Sequence, residues 1–265
     1  MRVAHFPSQC AQNSQPVMAA LLSSLNAAGV DTVENSLDAD AAIIWSVLWS
    51  GRMAANQLVW SKYRQNHLPV VVVDVGALDR GHTWKIALNN ITAAGYYGHQ
   101  QNLDWDRPAR LGISLGTGSK TCDRVLVAGQ HKKSLQLAGV DQEQWLVEKI
   151  NEIDSDKSIV VRPHPRCALD RSRFPKHLLW EEPKQIPGTY DSFDLHWNFD
   201  MVINYNSGPG IQAVLAGVPV VCDPSSLAYG VVDRQQWLVE ICHTEYTLEE
   251  IKQGIWIKRL GLMTR

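Results

Sequence analysis

Strand-like and helix-like segments alternate along the first half of the chain. The clearest strand is residues 69–75, a β-branched run that is apolar on both faces, as in a parallel sheet covered by helices. At residues 16–28 the apolar positions recur at helical spacing, and Gly29 follows as a residue suited to end a helix. The other elements predicted here are strands at 2–6 and 40–48 and helices at 51–66 and 83–94. This alternation predicts a doubly wound α/β domain.

The alternation restarts after a polar segment at residues 98–121, which we interpret as the passage between two domains. The predicted strands beyond it lie at 124–128, 158–161, 178–180, 201–204 and 219–222, and the predicted helices lie at 141–153, in a segment ending at 216, and at 247–260. We therefore expect an α/β protein with two Rossmann-like domains that face a cleft. The expected bounds are 1–118, 119–235, and 236–265 for a C-terminal helix that returns to the first domain.

Composition narrows the class of protein. With 25 Lys+Arg and 27 Asp+Glu, the net charge of −2 excludes a globally basic nucleic-acid binder but leaves room for a local basic groove. The five cysteines form no C-x-x-C pair, so we expect neither a disulfide framework nor a metal site. No apolar run approaches the about 18–20 residues that span a bilayer, and no signal-peptide pattern is visible, so we expect a cytoplasmic protein without a membrane partner.

Two phosphate-binding patterns are absent. GISLGTGSKT at residues 112–121 is not a P-loop, because Ser119 separates Gly118 from Lys120. The G-x-G-x-x-G fingerprint does not follow the first predicted strand, which argues against an NAD enzyme.

Residues 201–223 carry the most informative pattern: a buried strand, a turn of Asn, Ser and Gly, and then a helix. Pro209 suits the first helical turn, because its missing N–H would have no intrahelical partner there. The backbone N–H groups of this turn and the helix dipole predict a site for a diphosphate. The candidate binding residues are Asn206, Ser207, Gly208 and Gly210. A well-capped turn with no ligand is the alternative that this pattern leaves open.

A second candidate loop follows the strand at residues 158–161. Arg162 and His164 stand among two prolines at the carboxyl end of this strand, where open α/β sheets bind ligands. Arginine can bind a phosphate through two N–H groups, and histidine can donate to a phosphate or act in acid–base chemistry. Gly129 and Gln130, which end an earlier strand, complete the candidate site. A structural role for the histidine is the alternative.

In the first domain, residues 73–85 place polar side chains after the strongest strand. Asp74 and Asp79 are candidates for a general base. The candidates for binding an acceptor, by charge or by stacking, are Arg80, His82, Trp84 and Lys85. Helix capping and a solvated surface are the alternatives for these residues.

Two of these motifs are similar to motifs of a known protein family. R-P-H-P at residues 162–165, followed by N-S-G-x-G-x-x-A-x-x-x-G-x-P-V-V at 206–221, resembles the nucleotide-sugar-binding domain of GT-B glycosyltransferases, especially bacterial capsule-type sugar transferases. In that family the matched residues surround the nucleotide diphosphate. Gln212 stands near a position where many members carry a glutamate, and we include it among the donor-binding residues. Residues 71–91 are similar to bacteriophage glycosyltransferases, some of which are associated with glycosylating hydroxymethylated pyrimidines in DNA.

The resemblance implies a hexosyl- or pentosyltransferase that moves a sugar from a nucleotide-diphosphate sugar, a UDP-sugar first, to a hydroxyl acceptor. One candidate acceptor is a hydroxymethylated pyrimidine such as hydroxymethylcytosine in double-stranded phage DNA, which would place the protein in the host cytoplasm. In this interpretation the second domain binds the donor without a cofactor or metal. The first domain supplies the base, with Asp74 preferred to Asp79, and His164 takes part in acid–base chemistry.

Basic residues would line the entry of a DNA acceptor: Arg52, Lys62, Arg64, Arg80, Arg107 and Arg110. Three alternatives stay open: a transferase acting on capsule or other polysaccharide, a nucleotide-sugar epimerase, and a non-catalytic module that binds nucleotide sugar or DNA.

Overall fold

The computed structural model describes residues 1–99, 102–118, 122–153, 156–189 and 192–262, and the chain divides into two compact units. Unit one combines Met1–Ile113 with Val239–Arg265, and unit two is Ser114–Leu238. The domain bounds expected from the sequence stay a prediction. The first of them, after residue 118, borders residues 119–121, which lie outside the described residues, as does the end of the segment compared with a P-loop.

The helices and strands follow one another in three stretches of the chain. The N-terminal stretch contains β1 (Arg2–His5), α1 (Gln15–Ala27), β2 (Asp31–Glu34), β3 (Ala41–Trp45), α2 (Asn56–Gln65), β4 (Val70–Val75), β5 (Thr83–Leu88) and α3 (Arg107–Arg110). The middle stretch contains β6 (Arg124–Ala128), α4 (Gln142–Asn151), β7 (Ser158–Arg162), β8 (Leu179–Trp180), β9 (Met201–Asn204), α5 (Gly208–Ala216) and β10 (Val220–Val221). The C-terminal stretch contains α6 (Arg234–Cys242), β11 (Glu245–Thr247), α7 (Leu248–Lys252) and α8 (Ile255–Leu260). None of the helices in the described part of the chain combines the length and apolar character needed to span a bilayer.

The sheet of unit one has the strand order β2-β1-β3-β4-β5-β11. The first four strands are parallel, whereas β5 is antiparallel to β4 and β11 is antiparallel to β5. The chain passes from β1 to β2 on one side and then to β3 on the other, so the strand order reverses between β1 and β3. The carboxyl ends of strands at such a reversal are where open α/β sheets bind ligands.

The core of unit one joins its N-terminal and C-terminal segments. Val3 and Ile43 of the sheet pack in one buried cluster with Leu21 of α1 and with Trp256 and Ile257 of α8. Helix α2 packs against β3 and β4. Helix α8 therefore contributes to the same core as the first strand.

The helix predicted at residues 83–94 is wrong. The segment forms β5, an antiparallel strand that pairs Asp74 with Lys85 and Val72 with Ala87. Its run of Thr, Trp, Ile, Ala and Leu satisfies both a helical and a strand pattern, and pairing with the long strand β4 decides between them. Asn89, with a φ of +70°, ends the strand in the left-handed region that asparagine tolerates.

The single helix predicted at residues 247–260 is also wrong in detail. Thr247 and Glu250 form a capping box that begins α7, and Gly254, with a φ of +69°, separates α7 from α8. The residues just before this segment form β11, which sequence analysis did not predict.

Unit two contains a parallel sheet with the order β10-β9-β6-β7-β8. Side chains alternate along β6: Val125 and Val127 pack with Leu146 of α4, whereas Leu126 packs with Ala213 of α5. Helices thus cover both faces of the sheet, as in a doubly wound domain. Two separate α/β bodies built around parallel strands confirm the predicted fold class of two Rossmann-like domains.

Candidate functional site

The carboxyl ends of β6 and β9 bring two predicted donor-binding residues together. The strand order of unit two reverses between these strands, which makes this edge the expected ligand site. The backbone N–H of Asn206 donates to Gln130 Oε1 at 3.4 Å. Gln142, at the start of α4, fixes the backbone of Gln130 by accepting from its N–H at 2.5 Å and donating to its carbonyl at 3.0 Å. Gln142 was missed by sequence analysis.

The N-terminus of α5 lies at the same edge. Its N-cap residue, Ser207, makes no capping hydrogen bond, and its hydroxyl accepts from Asn204 Nδ2 at 2.6 Å. Gly208 is the first helical residue, and the first turn contains no acidic side chain. The Gly210 N–H donates to the Ser207 carbonyl at 3.1 Å, so it is engaged within the turn. The positive end of a nine-residue helix at this position favours an anion.

Gly210 is required by the close approach of α5 to β9. A Cβ at this residue would lie 2.4 Å from Asn204 Oδ1, well inside van der Waals contact. The absence of a side chain therefore allows the helix to begin directly above the end of β9.

Two histidines and several cations flank this edge at the ends of β6 and β7. The rings of His131 and His164 meet edge to face, with centroids 5.2 Å apart. Nδ1 of His131 accepts the Lys133 N–H, and Nδ1 of His164 accepts the Arg166 N–H. In the neutral rings the proton is therefore on Nε2, which can donate to a ligand.

Three positively charged side chains lie close enough to His131 to affect its pKa. Burial lowers the pKa of His131, and the charges of Lys133, Arg166 and Lys132 lower that pKa further. A site that holds so many cations beside a buried imidazole suits a phosphate group, whose charge would offset theirs. The His-Lys-Lys run directly after Gln130 was the available sequence signal, and the prediction ended one residue too early.

Gly129 sets the distance between the two histidine loops. Its N–H donates to the Arg162 carbonyl at 2.9 Å, and a Cβ would lie 3.3 Å from Pro163 Cα and 3.4 Å from the His164 nitrogen. A side chain here would push the R-P-H-P loop away from β6. Gly129 is therefore placed to position His164.

Arg162 is engaged inside unit two. It is only 6% exposed, and its guanidinium binds the carboxylates of Glu181 and Asp194 as well as the Asp194 carbonyl. These partners lie 19 and 32 residues further along the chain, so the motif itself gives no sign of them. A contact between Arg162 and the donor stays a prediction, and such a contact would have to compete with two carboxylates.

A short polar chain links the loops after β9 and β10. Asn206 Nδ2 donates to Ser225 Oγ at 2.8 Å, and Ser225 Oγ donates to Asp223 Oδ1 at 2.5 Å. Asn206 Oδ1 is buried and has no hydrogen-bond partner in the described part of the chain, so it can accept from a ligand. Gln212 is half-buried on α5, beyond its first turn. Ser225 and Asp223 were not predicted.

In unit one, Asp74 lies near the carboxyl end of β4 and is half-buried. Its Oδ2 accepts from Ser46 Oγ at 2.8 Å, and its Oδ1 accepts from the Val75 N–H at 2.7 Å. Burial raises the pKa of Asp74, against the lowering effects of these hydrogen bonds and of the charges of Lys85 and Arg80. A carboxylate with a raised pKa at this edge has the properties of a general base.

The other predicted residues of unit one separate into two groups. Asp79 and His82 form an exposed pair in the loop after β4, with Oδ1 and Nδ1 3.1 Å apart, and Arg80 is exposed in the same loop. Trp84 is half-buried against the core, and Lys85 is buried on β5.

Glu245 is the main residue of this region that sequence analysis missed. It is completely buried on β11. Its Oε1 accepts from the Ala77 N–H at 2.7 Å, and its Oε2 accepts from the Leu78 N–H at 3.1 Å and from Thr83 Oγ1 at 2.7 Å. One carboxylate therefore holds the loop that carries Asp79.

The prediction that Arg107 lines an entry for DNA is wrong. Its side chain is buried, and the guanidinium binds Glu250 and the carbonyls of Cys242 and Glu245. Arg110 is exposed and forms an ion pair with Asp104.

No group of three or more His, Cys, Asp or Glu residues that could hold a metal ion occurs in the described ranges.

Comparisons with known proteins identify the fold. No family model matches the chain, and no curated protein matches it. Among solved structures, Thermosulfurimonas dismutans KpsC, beta Kdo 2,7 transferase, has a TM-score of 0.54 at 13% identity and covers 99% of this chain and 100% of that one. Thermosulfurimonas dismutans KpsC, beta Kdo 2,4 transferase, has a TM-score of 0.51 at 14% identity and covers 92% of this chain and 90% of that one. The chain thus shares the two-domain GT-B fold of these glycosyltransferases.

Proposed function

We propose that this protein is a glycosyltransferase that moves a sugar from a nucleotide-linked donor to a hydroxyl acceptor. The observation that carries the proposal is the convergence, at one edge of unit two, of the α5 N-terminus, the His131–His164 pair and the surrounding cations. The GT-B fold supports the proposal, because the solved structures that share this fold include sugar transferases.

The donor would bind with its phosphates against the first turn of α5. The backbone N–H groups at Ser207 and Gly208 and the Nε2 protons of His131 and His164 would donate to phosphate oxygens. These N–H groups would stabilise the negative charge that develops on the phosphate as the bond to the sugar breaks. Asn206 Oδ1 would accept from a hydroxyl or amide of the donor, because it lacks a partner in the described residues.

The acceptor hydroxyl would lose its proton to Asp74 in an inverting transfer. A general base has to be ionised before it accepts the proton, so the rate should rise as the pH passes through the raised pKa of Asp74. Asp79 is the second candidate, and its exposed pairing with His82 makes it the weaker one.

Two acceptor classes follow from what the chain is similar to. The KpsC domains are Kdo transferases, which favours a saccharide hydroxyl. The resemblance of residues 71–91 to phage enzymes favours a hydroxymethylated pyrimidine in double-stranded DNA.

A mass-spectrometric screen tests the function. UDP-, GDP- and CMP-linked sugars are each incubated with the protein and with either simple glycans or hydroxymethylated DNA. We expect one acceptor class to gain one sugar mass, and we expect Asp74→Asn to lower this transfer at least about 100-fold while donor binding persists.

Three outcomes would contradict the proposal. Conversion of the donor alone into an isomer would indicate an epimerase. Donor binding without transfer to any acceptor would indicate a binding module. Failure of every nucleotide sugar and of its free nucleotide to bind would remove the donor site itself.

A further inference from the structure

Three ionisable residues form a row across the sheet of unit one. Asp74 of β4 is the direct register partner of Lys85 of β5, and Lys85 is the direct register partner of Glu245 of β11. Residues opposite each other in an antiparallel pair project on the same face, with Cβ atoms about 4.5–5.5 Å apart. Negative, positive and negative groups therefore alternate along one line.

This row lies mostly inside the protein. Glu245 is completely buried, Lys85 is only 7% exposed, and Asp74 is half-buried. A buried ammonium is strongly unfavourable unless opposite charges compensate it. Here the two carboxylates on its neighbouring strands provide that compensation, and both raise the pKa of Lys85 against the lowering effect of burial.

The two carboxylates differ in what else they do. Both oxygens of Glu245 are taken up by the N–H groups of Ala77 and Leu78 and by Thr83 Oγ1, which fixes the carboxylate in place. Asp74 lies near the carboxyl end of β4, and it receives hydrogen bonds from Ser46 and Val75. Glu245 thus anchors the row, and Asp74 is the member of the row that we propose as the base.

We propose that Lys85 is a positioning residue for Asp74: its charge, anchored by Glu245, keeps the Asp74 carboxylate ionised at neutral pH and so able to act as a base. The catalytic meaning of this role rests on the proposed function, whereas its electrostatic part does not. The proposal differs from an acceptor contact by Lys85, which would require its ammonium to leave the row.

Other groups also face Asp74. Arg80, in the loop after β4, adds a second positive charge, and Ser46, after β3, supplies a hydrogen bond. The Tyr97 hydroxyl is buried, and burial followed by the charges of Glu245 and Asp74 raises its pKa, so it stays neutral. All of these groups are retained when Lys85 is changed.

The test follows the protonation of Asp74 directly, in the full chain. Protein labelled with carboxyl-¹³C aspartate is titrated by NMR, and Asp74→Asn assigns the signal. We expect Lys85→Met to raise the Asp74 midpoint by about one pH unit or more, because an opposite charge has been removed. Lys85→Arg should restore most of the wild-type midpoint. Lys62→Met, an exposed lysine on α2, should leave it unchanged.

Glu245→Gln should shift the Asp74 midpoint in the opposite direction. Removing a negative charge from the row should lower the Asp74 midpoint, whereas a purely structural disturbance has no reason to move the two variants in opposite directions. If Lys85→Met fails to fold, Lys85→Gln is used instead, and we expect the same upward shift of the Asp74 midpoint.

An Asp74 midpoint that stays at the wild-type value in a folded, neutral Lys85 variant overturns the proposal, whatever the activity. A shifted midpoint together with no transfer in the donor and acceptor screen overturns the proposed function and leaves the electrostatic role standing. When transfer is observed, the pH–rate profile of Lys85→Met separates the two roles of Lys85. Loss of a positioning residue shifts the acid limb of the profile to higher pH. Loss of an acceptor contact raises only the KM for acceptor.

Discussion

Glu245 Oε1 accepts a hydrogen bond from the backbone N–H of Ala77 at 2.7 Å, although the two residues are 168 positions apart in the chain. Together with the contacts to Leu78 and Thr83, this bond fixes the loop after β4 from the strand at the edge of the sheet. The loop that follows Asp74, the proposed base, therefore depends on a residue that is remote in sequence.

Removal of this carboxylate should destabilise unit one. Glu245→Ala removes the carboxylate that accepts from the Ala77 and Leu78 N–H groups and from the Thr83 hydroxyl, and it leaves Lys85 with one counter-charge. We expect the free energy of unfolding to fall by about 3 kcal/mol or more, measured by urea denaturation. Glu249→Ala, which removes an exposed carboxylate on α7, should change it by less than about 0.5 kcal/mol. Equal losses in both variants would contradict this interpretation.

Gly210→Ala should weaken donor binding by disturbing the start of α5. The new Cβ would meet Asn204 Oδ1 at 2.4 Å, so the helix or the asparagine has to move. We expect at least a tenfold loss of affinity, about 1.4 kcal/mol, for the best nucleotide sugar in calorimetric titration. Gly129→Ala should have a smaller effect, because its new Cβ would lie 3.1 Å from its nearest neighbour, Leu169 Cδ1. The reverse order would show that donor binding depends more on the histidine loops than on the start of α5.

The histidine pair should contribute directly to donor affinity. His131→Ala and His164→Ala each remove a hydrogen-bond donor from the proposed phosphate site, and we expect about a tenfold loss in affinity for each. His177→Ala changes an exposed histidine of the same unit and serves as the control, with no change expected. Unaltered binding in both site variants would show that the phosphates do not lie between α5 and the histidine loops.

His243 should make unit one sensitive to acid. Its Nε2 accepts the Asp104 N–H at 3.1 Å and its Nδ1 lies 2.7 Å from the Val239 carbonyl, so the buried ring is held in its neutral form. Burial, followed by the charges of Arg259 and Arg107, lowers the pKa of His243. The unfolded chain then binds this proton more readily, and falling pH favours unfolding.

The contribution of His243 to stability is therefore complete above about pH 6.5 and is lost as the pH falls from there toward the lowered pKa. We expect His243→Gln to lose less stability than the wild-type protein between pH 7.5 and 5.5 in urea titrations. His82→Gln, which changes an exposed side chain, should follow the wild type. A variant with a loss as steep as that of the wild type would exclude His243 as a source of acid sensitivity.

Local pattern was sufficient for the parts of the fold that depend on neighbouring residues. The β-branched run of β4, the helical spacing of α1 and the turn that begins α5 are all visible in the sequence. The meeting of the loops after β6, β7 and β9 could also be predicted, because in a parallel sheet the carboxyl ends of strands lie at one edge.

Long-range pairing explains what could not be predicted. Residues 83–88 satisfy a helical pattern as well as a strand, and only β4 decides between them. The ion pairs of Arg162 with Glu181 and Asp194 could not be predicted either, because these partners are remote from the R-P-H-P motif in the sequence. Glu245 has no local signal at all, because its role exists only when β11 joins a sheet begun at the other end of the chain.

The discontinuity of unit one has a consequence for biosynthesis. Its sheet lacks the outer strand β11, and its core lacks Trp256 and Ile257, until residues 245–257 have been translated. Unit two, by contrast, is one uninterrupted stretch that leaves the ribosome before those residues do. The N-terminal segment of unit one therefore cannot complete its sheet and core until β11 and α8 have left the ribosome.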